Sequence, residues 1–145
     1  MTDPAPLYLP PNMEALVSAF LRDQPELVEL VDDRIYTAIP KGATYPLVRV
    51  TQLLDTPAGA PLWAVAFDIQ VEAFGGSKGE AWLIASTARA AIDRRIEGEH
   101  PGYGVVNGST PGALLDLPDE DHTPAKPRWL FTSTIYARPG ATVQS

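Results

Sequence analysis

The stretch WAVAFDIQVEAFGGSKGEAWLIASTARAAIDRRI, residues 63–96, changes its hydrophobic period from that of a strand to that of a helix. Trp63 and every second residue after it to Ala73 are apolar, which predicts a strand with one core face. The residues between them predict a water-facing side, formed by Ala64, Ala66, Asp68, Gln70 and Glu72. Apolar residues then recur at helical spacing from about 78 to 96. The expected sheet-facing residues of this helix are Ala81, Ile84, Ala85, Ala88, Ala91 and Ile92.

The turn GGSKGE at residues 75–80 brings Gly, Ser and Lys to the start of that helix, as phosphate-binding loops do. The G-x-x-x-x-G-K-[ST] spacing of such loops is absent. Ser77 and Glu80 instead have the spacing of a capping box, in which each side chain bonds a free backbone N–H of the first turn. This pattern favours a helix start without a ligand.

Residues 1–11 contain four prolines, which favour an extended polyproline conformation. The segment also carries the apolar residues Leu7, Tyr8 and Leu9. The composition predicts an arm that lies on a neighbouring surface, and a frayed terminus fits the same residues.

Between the arm and the first strand the sequence predicts a broken helix over 13–31. Asn12 is a suitable N-cap, and Pro25 suits the first turn of the second half. A strand follows at 46–54, opened by a proline, and the turn-rich loop 55–61 joins it to the strand described above. These two strands are expected to form an antiparallel hairpin.

The last third of the chain is rich in Gly, Pro and acidic residues from 97 to 127, with a strand near 103–107 and a short apolar run at 113–117. The alternating segment 128–138 then closes the sheet. The predicted fold class is α+β, a mostly antiparallel sheet of about four strands packed against two main helices. We expect a single domain at 12–138, with the arm before it and a polar tail at 139–145.

Composition excludes several functional classes. The formal net charge is −7, which disfavours non-specific binding to DNA or an anionic membrane, because such binding requires clustered Lys and Arg. The absence of cysteine excludes disulfides, iron–sulfur ligation and thiol catalysis. No leader pattern and no membrane-length apolar run is present, so we expect a protein of the aqueous cytoplasm.

No catalytic, cofactor or metal site is expected. His100 and His122 each lie beside prolines without a second ligand at helical spacing. The acidic run 116–122 lacks the calcium-loop pattern and its glycine, which favours a solvated loop. Asp32 and Asp33 are adjacent and precede an arginine, which indicates a helix end with a local ion pair.

The hinge VDDRIYTAIPKGATYPLVRV, residues 31–50, leaves the helix and re-enters a strand behind a proline. We expect Ile35 to anchor in the core. Two interpretations of its neighbours remain open: Arg34 and Tyr36 reach outward as interface residues, or Arg34 pairs with a nearby aspartate while Tyr36 packs over the helix.

The order of these elements resembles the tail terminator (tail completion) family of long-tailed bacteriophages over residues 12–138. The resembling segments are Asp33-Arg34-Ile35-Tyr36, ATYPLVRV at 43–50, VAFDIQVEAF at 65–74 and GEAWLIASTARAAI at 79–92. The proline-rich arm and the acidic loop 116–121 depart from the family's pattern.

The resemblance implies a structural virion protein that forms a hexameric ring at the head-proximal end of the tail, after assembly in the host cytoplasm. The ring would stop tube polymerisation and join the tail to the neck, with the tail tube protein and a connector or stopper protein as partners. DNA would pass through it without specific binding. The alternatives are another connector or stopper ring, or a small ligand-binding module or enzyme with a cleft near Arg34, Arg49 or His100.

Two sets of site residues follow from this interpretation. Six copies at −7 each would carry −42 formal charges, which suits a channel for DNA. The candidate lumen-facing residues are Asp68, Gln70, Glu72, Asp119, Glu120 and Asp121. The candidate interface residues are Arg34, Tyr36, Tyr8 and Leu9.

Overall fold

The computed structural model of the chain describes residues 4, 9–57, 65–122 and 124–139, in which helices cover one face of a seven-stranded sheet. The helices are α1 (Met13–Arg22), α2 (Pro25–Val31) and α3 (Lys78–Arg95). The strands are β1 (Ile35–Tyr36), β2 (Leu47–Pro57), β3 (Val65–Phe74), β4 (Gly98–His100), β5 (Gly104–Pro111), β6 (Leu115–Asp116) and β7 (Arg128–Arg138). The predicted α+β class is confirmed.

The sheet has the order β1-β2-β3-β7-β5-β4, and β6 pairs with β7 beyond the end of β5. All pairs are antiparallel except β1 with β2. At its centre, β3 and β7 pair over their whole shared length, from Val65 with Ala137 to Phe74 with Arg128. Because directly opposite residues share a face, the apolar alternation of both strands builds one core surface.

The strand-to-helix stretch folds as its pattern predicts. Ser77 Oγ accepts a hydrogen bond of 3.1 Å from the Glu80 N–H, and Glu80 Oε1 accepts one of 2.7 Å from the Gly76 N–H. The capping box is confirmed, except that the carboxylate reaches Gly76 instead of the N-cap residue. All six predicted sheet-facing residues of α3 are buried. Four of them are alanines, which let the helix lie close to the sheet.

The broken helix is also confirmed. Asn12 Oδ1 accepts from the Ala15 N–H at 3.2 Å, which caps α1, and Pro25 is the first residue of α2. At the break, the buried Gln24 donates its Nε2 proton to the Phe20 carbonyl at 3.1 Å. This bond ties the start of α2 to the end of α1.

The sheet has more strands than the four expected. The four long strands are those predicted, although β2 continues to Pro57 and β5 to Pro111. The additional strands β1, β4 and β6 have only two or three residues, which is too short for any alternation to show. Residues 58–64 and 140–145 lie outside the described part, and so do the predicted strand positions Trp63 and Ala64.

Replacing Ala88 with leucine is expected to lower the free energy of unfolding by about 1–3 kcal/mol, because the larger side chain must displace the sheet beneath α3. Urea unfolding followed by circular dichroism measures the change. Ala90→Leu is the matched control, since Ala90 is exposed on the same helix and the same substitution there should stay within about 0.5 kcal/mol of wild type. Equal losses in both variants would contradict the close packing of α3 on the sheet.

Candidate functional site

The sheet face opposite the helices, here called the outer face, is covered at one end by two loops. Tyr45 lies over this end, edge-on to Phe74 with 6.0 Å between ring centroids and edge-on to His122 at 6.1 Å. Lys126 places its Nζ 3.9 Å from the centre of the Tyr45 ring. The segment before β2 and the acidic loop before β7 therefore close over the same end of the outer face.

Beneath these loops, Glu72 binds two arginines. Its Oε1 accepts from Arg49 Nε at 2.7 Å, and its Oε2 accepts from Arg49 Nη2 at 2.9 Å and from Arg128 Nη1 at 2.8 Å. Only 3% of the Glu72 side chain is exposed. The expectation that Glu72 lies on a water-facing side is therefore wrong, because strands β2 and β7 place an arginine on each side of it.

This cluster has one carboxylate and two guanidinium groups, and so carries a net positive charge. The hydrogen bonds to Glu72 raise the pKa of Arg49, and the nearby charge of Asp119 acts in the same direction. Arg128 also donates from Nε to the Leu117 carbonyl at 2.7 Å. The net positive charge of the cluster attracts Asp119, and Arg128 also hydrogen-bonds the backbone at Leu117. Both interactions hold the acidic loop onto the outer face.

The acidic loop is a folded turn. Asp119 and Lys126 exchange two backbone hydrogen bonds of 2.8 and 3.0 Å, and Asp119 Oδ1 accepts from the Asp121 N–H at 3.1 Å. The Asp119 side chain is 18% exposed and lies 3.5 Å from His122 Nε2. Of the three candidate acids in this loop, Asp119 is therefore used inside the turn, whereas Glu120 and Asp121 are exposed.

The other end of the outer face is open and polar. Asp68 and Gln70 are half-buried, and Asp68 Oδ1 accepts from Thr134 Oγ1 at 2.9 Å. Two larger side chains lie on this part of the face, Leu54 at 64% and Tyr136 at 39% exposure. The strand register pairs Leu54 with Asp68 and Tyr136 with Ala66.

Arg34, the arginine of the hinge, bonds to two segments of its own chain. Arg34 donates from Nε to the Pro46 carbonyl at 2.7 Å and forms an ion pair of 3.1 Å with Asp32. Its backbone carbonyl also accepts from the Val48 N–H at 2.9 Å. Of the two interpretations of Arg34, local pairing is the one observed, and it fixes the end of α2 to the start of β2.

Of the three remaining candidate interface residues, two lie within the described part of the chain. Tyr36 is half-buried opposite Arg49 in the parallel pair of β1 with β2. Leu9 is 54% exposed, and Tyr8 lies outside the described residues.

Sequence patterns missed the exposed side of α3. Trp82 and Leu83 are 47% and 45% exposed there. A signal was present, because Ala81-Trp82-Leu83-Ile84 is a run of four apolar residues and a helix cannot turn four consecutive side chains toward one sheet.

A cleft of about 360 Å³ lies between α2 and α3, and its lining does not include Arg34, Arg49 or His100, near which the alternative ligand-binding module would have its cleft. Its lining residues are Gln24, Glu26, Ser86, Thr87, Ala90, Ala91, Arg94 and Arg95. Arg95 bridges the two helices through Glu26, with bonds of 3.0 and 2.6 Å, and contacts Gln24 Oε1 at 3.0 Å. Hydrogen bonding to Arg95 lowers the pKa of Glu26 to about 2.

Two further kinds of site are not found in the described part of the chain. No three His, Asp or Glu side chains there are arranged to hold a metal ion. None of the helices in the same residue ranges has the length and hydropathy needed to cross a membrane.

Comparison with known proteins gives three results. A family model described as Tail completion protein gp17 matches residues 15–98. Among solved structures, the chain is similar to one in the virion of a native gene transfer agent (GTA) particle, with a TM-score of 0.58 and 15% identity over 87% of this chain and 92% of that one. No curated protein sequence matches the chain.

Glu72→Gln is expected to lower the free energy of unfolding by on the order of 3 kcal/mol, because it leaves the arginines at 49 and 128 without their counter-charge in a largely buried site. The shift of the urea midpoint measures it. Glu120→Gln makes the same chemical change at an exposed position and should leave the midpoint unchanged. A similar midpoint for both variants would show that the cluster does not stabilise the covered end.

The bond between Glu26 and Arg95 predicts a carboxylate that is still ionised at pH 3.5, where an unperturbed glutamic acid, with a pKa of 4.5, is mostly protonated. Because the folded-state pKa is lowered, its stabilising effect is complete above pH 4.5 and is lost as the pH falls toward 2. Carbon-detected NMR of the side-chain carboxyl measures the ionisation. In Arg95→Gln the pKa of Glu26 should rise toward 4.5, whereas Arg94→Gln should leave the group ionised at pH 3.5, and a common titration in all three proteins would contradict the pairing.

Proposed function

Since the chain belongs to the Tail completion protein gp17 family and is therefore a structural protein of a bacteriophage tail, we propose that it forms the ring that terminates the tail. Six copies form a ring on the head-proximal end of the tail tube, where the ring stops polymerisation and joins the tail to the neck. The observation that carries this proposal is the family match over residues 15–98, and the surfaces of the fold support it.

A closed ring requires two unlike surfaces on each copy, because every subunit contacts its neighbours head to tail. The chain offers such surfaces on separate layers. On the helix layer, α3 exposes Trp82 and Leu83. On the sheet layer, β1 pairs with β2 only at Val48 and Arg49, so that the rest of β2 remains an edge among the described strands.

The edge of β2 is partly protected before assembly. Glu14 of α1 accepts from the Gln52 N–H at 2.8 Å, which covers the edge near the middle of the strand. The register then shifts between Gln52 and Leu54, and Leu53 and Leu54 beyond it are 48% and 64% exposed. Capped edges and local irregularities limit unwanted strand pairing, so the contact of this edge is confined to its last residues.

The open part of the outer face suits the lumen of the proposed ring. Its central residues are Asp68, Gln70, Thr132 and Thr134, which carry no positive charge, and like charges keep contact with DNA weak and brief. The exposed Glu120 and Asp121 add negative charge at the covered end. Glu72 and Asp119 do not contribute, because the first is neutralised by arginines and the second is used in the loop.

Purified chain added to polymerising tail tube protein is expected to stop tube growth and to leave one ring of six subunits on one end of each tube. Electron microscopy measures tube length and the position of the ring, and a three-dimensional reconstruction shows whether Asp68 and Gln70 face the lumen. Unchanged tube lengths with no density at either end would overturn the proposed function. A ring on the neck side of isolated heads, and none on tails, would assign the chain to a connector or stopper instead.

A further inference from the structure

Arg49 and Arg128, here called the arginine pair, lie side by side at the covered end of the outer face. Both donate to Glu72 Oε2, at 2.9 and 2.8 Å, so their guanidinium groups are neighbours. The Cζ atom of each also lies 5.9 Å from the centre of the Phe74 ring. One carboxylate neutralises only one of the two groups. The arginine pair therefore has a positive charge left over for a second anion.

The arginine pair is accessible from the outer face. The side chains of Arg49 and Arg128 are 36% and 20% exposed, whereas Glu72 beneath them is buried. Arg49 uses Nε and Nη2 on Glu72, and Arg128 uses Nη1 on Glu72 and Nε on the Leu117 carbonyl. One terminal nitrogen of each arginine, Nη1 of Arg49 and Nη2 of Arg128, is outside these bonds. Guanidinium groups bind phosphate oxygens through such nitrogens, so the pair has the chemistry to hold one phosphate group.

Asp119 acts as the second anion in the folded chain. The pKa of Arg49 is raised first by its bonds to Glu72 and further by the charge of Asp119. Two contacts keep the loop of Asp119 beside the pair. On the outer face Arg128 holds the Leu117 carbonyl at 2.7 Å, and Lys78 at the start of α3 pairs with Asp116 at 3.1 Å. The carboxylate of Asp119 is thus fixed where it opposes the charge of the arginines.

We propose that the arginine pair is a binding site for a phosphate of the DNA backbone, and that Asp119 takes the place of that phosphate and keeps DNA off the site. Each phosphate contact strengthens binding to DNA, so an uncovered arginine pair would hold a passing duplex. A carboxylate of the same chain has a high effective concentration at the site and therefore competes well with phosphates in solution. The site is a property of the single chain, and only its use in a channel rests on the proposed ring.

Removing the charge of Asp119 tests the site. Asp119→Asn retains the oxygen that accepts from the Asp121 N–H, so the turn is kept while the negative charge is lost. Fluorescence anisotropy of a short labelled DNA duplex at low salt measures its binding to the full chain. Asp121→Asn is the matched control, because Asp121 is exposed in the same loop and the net charge changes equally. We expect Asp119→Asn to raise the affinity about three- to ten-fold more than the control does. Its logarithm should also fall more steeply with the logarithm of salt concentration, by about one unit of slope.

A second substitution shows whether the added affinity depends on the arginine pair. In the Asp119→Asn chain, Arg49→Gln should remove the gain, because Glu72 then neutralises Arg128 alone. Arg94→Gln in the same chain is the control, since it removes the same charge from an exposed position on α3. The NMR signals of the Nε–H groups of Arg49 and Arg128 should shift when duplex is added to Asp119→Asn and stay in place in the natural chain.

Four results would overturn the inference. They are equal gains in Asp119→Asn and Asp121→Asn, a gain that survives Arg49→Gln, no duplex binding by Asp119→Asn, and NMR shifts with inorganic phosphate but none with duplex. Thermal melting checks that each variant is folded. Asp119→Ser offers the same turn an acceptor oxygen without a charge, in case asparagine destabilises the loop.

These measurements use the single chain and need neither tube nor ring. Tube capping together with any of the four results above would overturn this inference and leave the proposed function in place. A chain that caps no tubes but gains duplex binding through the arginine pair would overturn the proposed function and leave the phosphate site.

Discussion

The ten-residue antiparallel pairing of β3 with β7 is the constraint on which the rest of the structure depends. It fixes which side chains point to the helices and which point to the outer face, since a shift by one residue would exchange the two sets. The buried set includes Phe67, Ile69, Phe131 and Ile135. The other set includes Asp68, Gln70, Thr132 and Thr134, so one register determines both the core and the polar face.

The same pairing brings the ionic cluster together. Glu72 lies between Arg49 of β2 and Leu130 of β7, and Arg128 reaches it from two residues away. Because the carboxylate is shared by two guanidinium groups, the cluster keeps a positive charge that binds the acidic loop. The loop's conformation is thus a consequence of strand register, and it separates a closed end of the outer face from an open one.

Local patterns predicted most of the fold because each pattern lies within one segment. The capping box at Ser77, the alanine face of α3 and the alternation of β7 can each be read from fewer than twenty residues, and all three are confirmed. The exposure of Glu72 could not be predicted in this way. Its partners are 23 and 56 residues away, and alternation alone treats a charged residue at such a position as water-facing.

The candidate site was predicted less well than the fold for the same reason. An exposed arginine and an arginine that ties a helix to a strand look alike in sequence, and Arg34 is the second kind. The exposure of Trp82 and Leu83 was not predicted, because six other apolar residues of α3 already form a complete sheet-facing side. Their position became evident only when the six buried residues of α3 were fixed on the opposite side.

The small size of the apolar area on α3 bears on how the proposed ring would assemble. In the proposed ring, a contact made through the two exposed apolar residues of α3 would be weak, which would keep the free chain from aggregating. Closing a ring makes the last contact intramolecular, so the whole assembly is much more stable than any single contact. In the proposed assembly, a tube end would hold several copies side by side and so favour that closure. Each contact between copies would be too weak to hold them together alone, and only closure would make the ring stable. Ring formation would therefore be restricted to finished tubes.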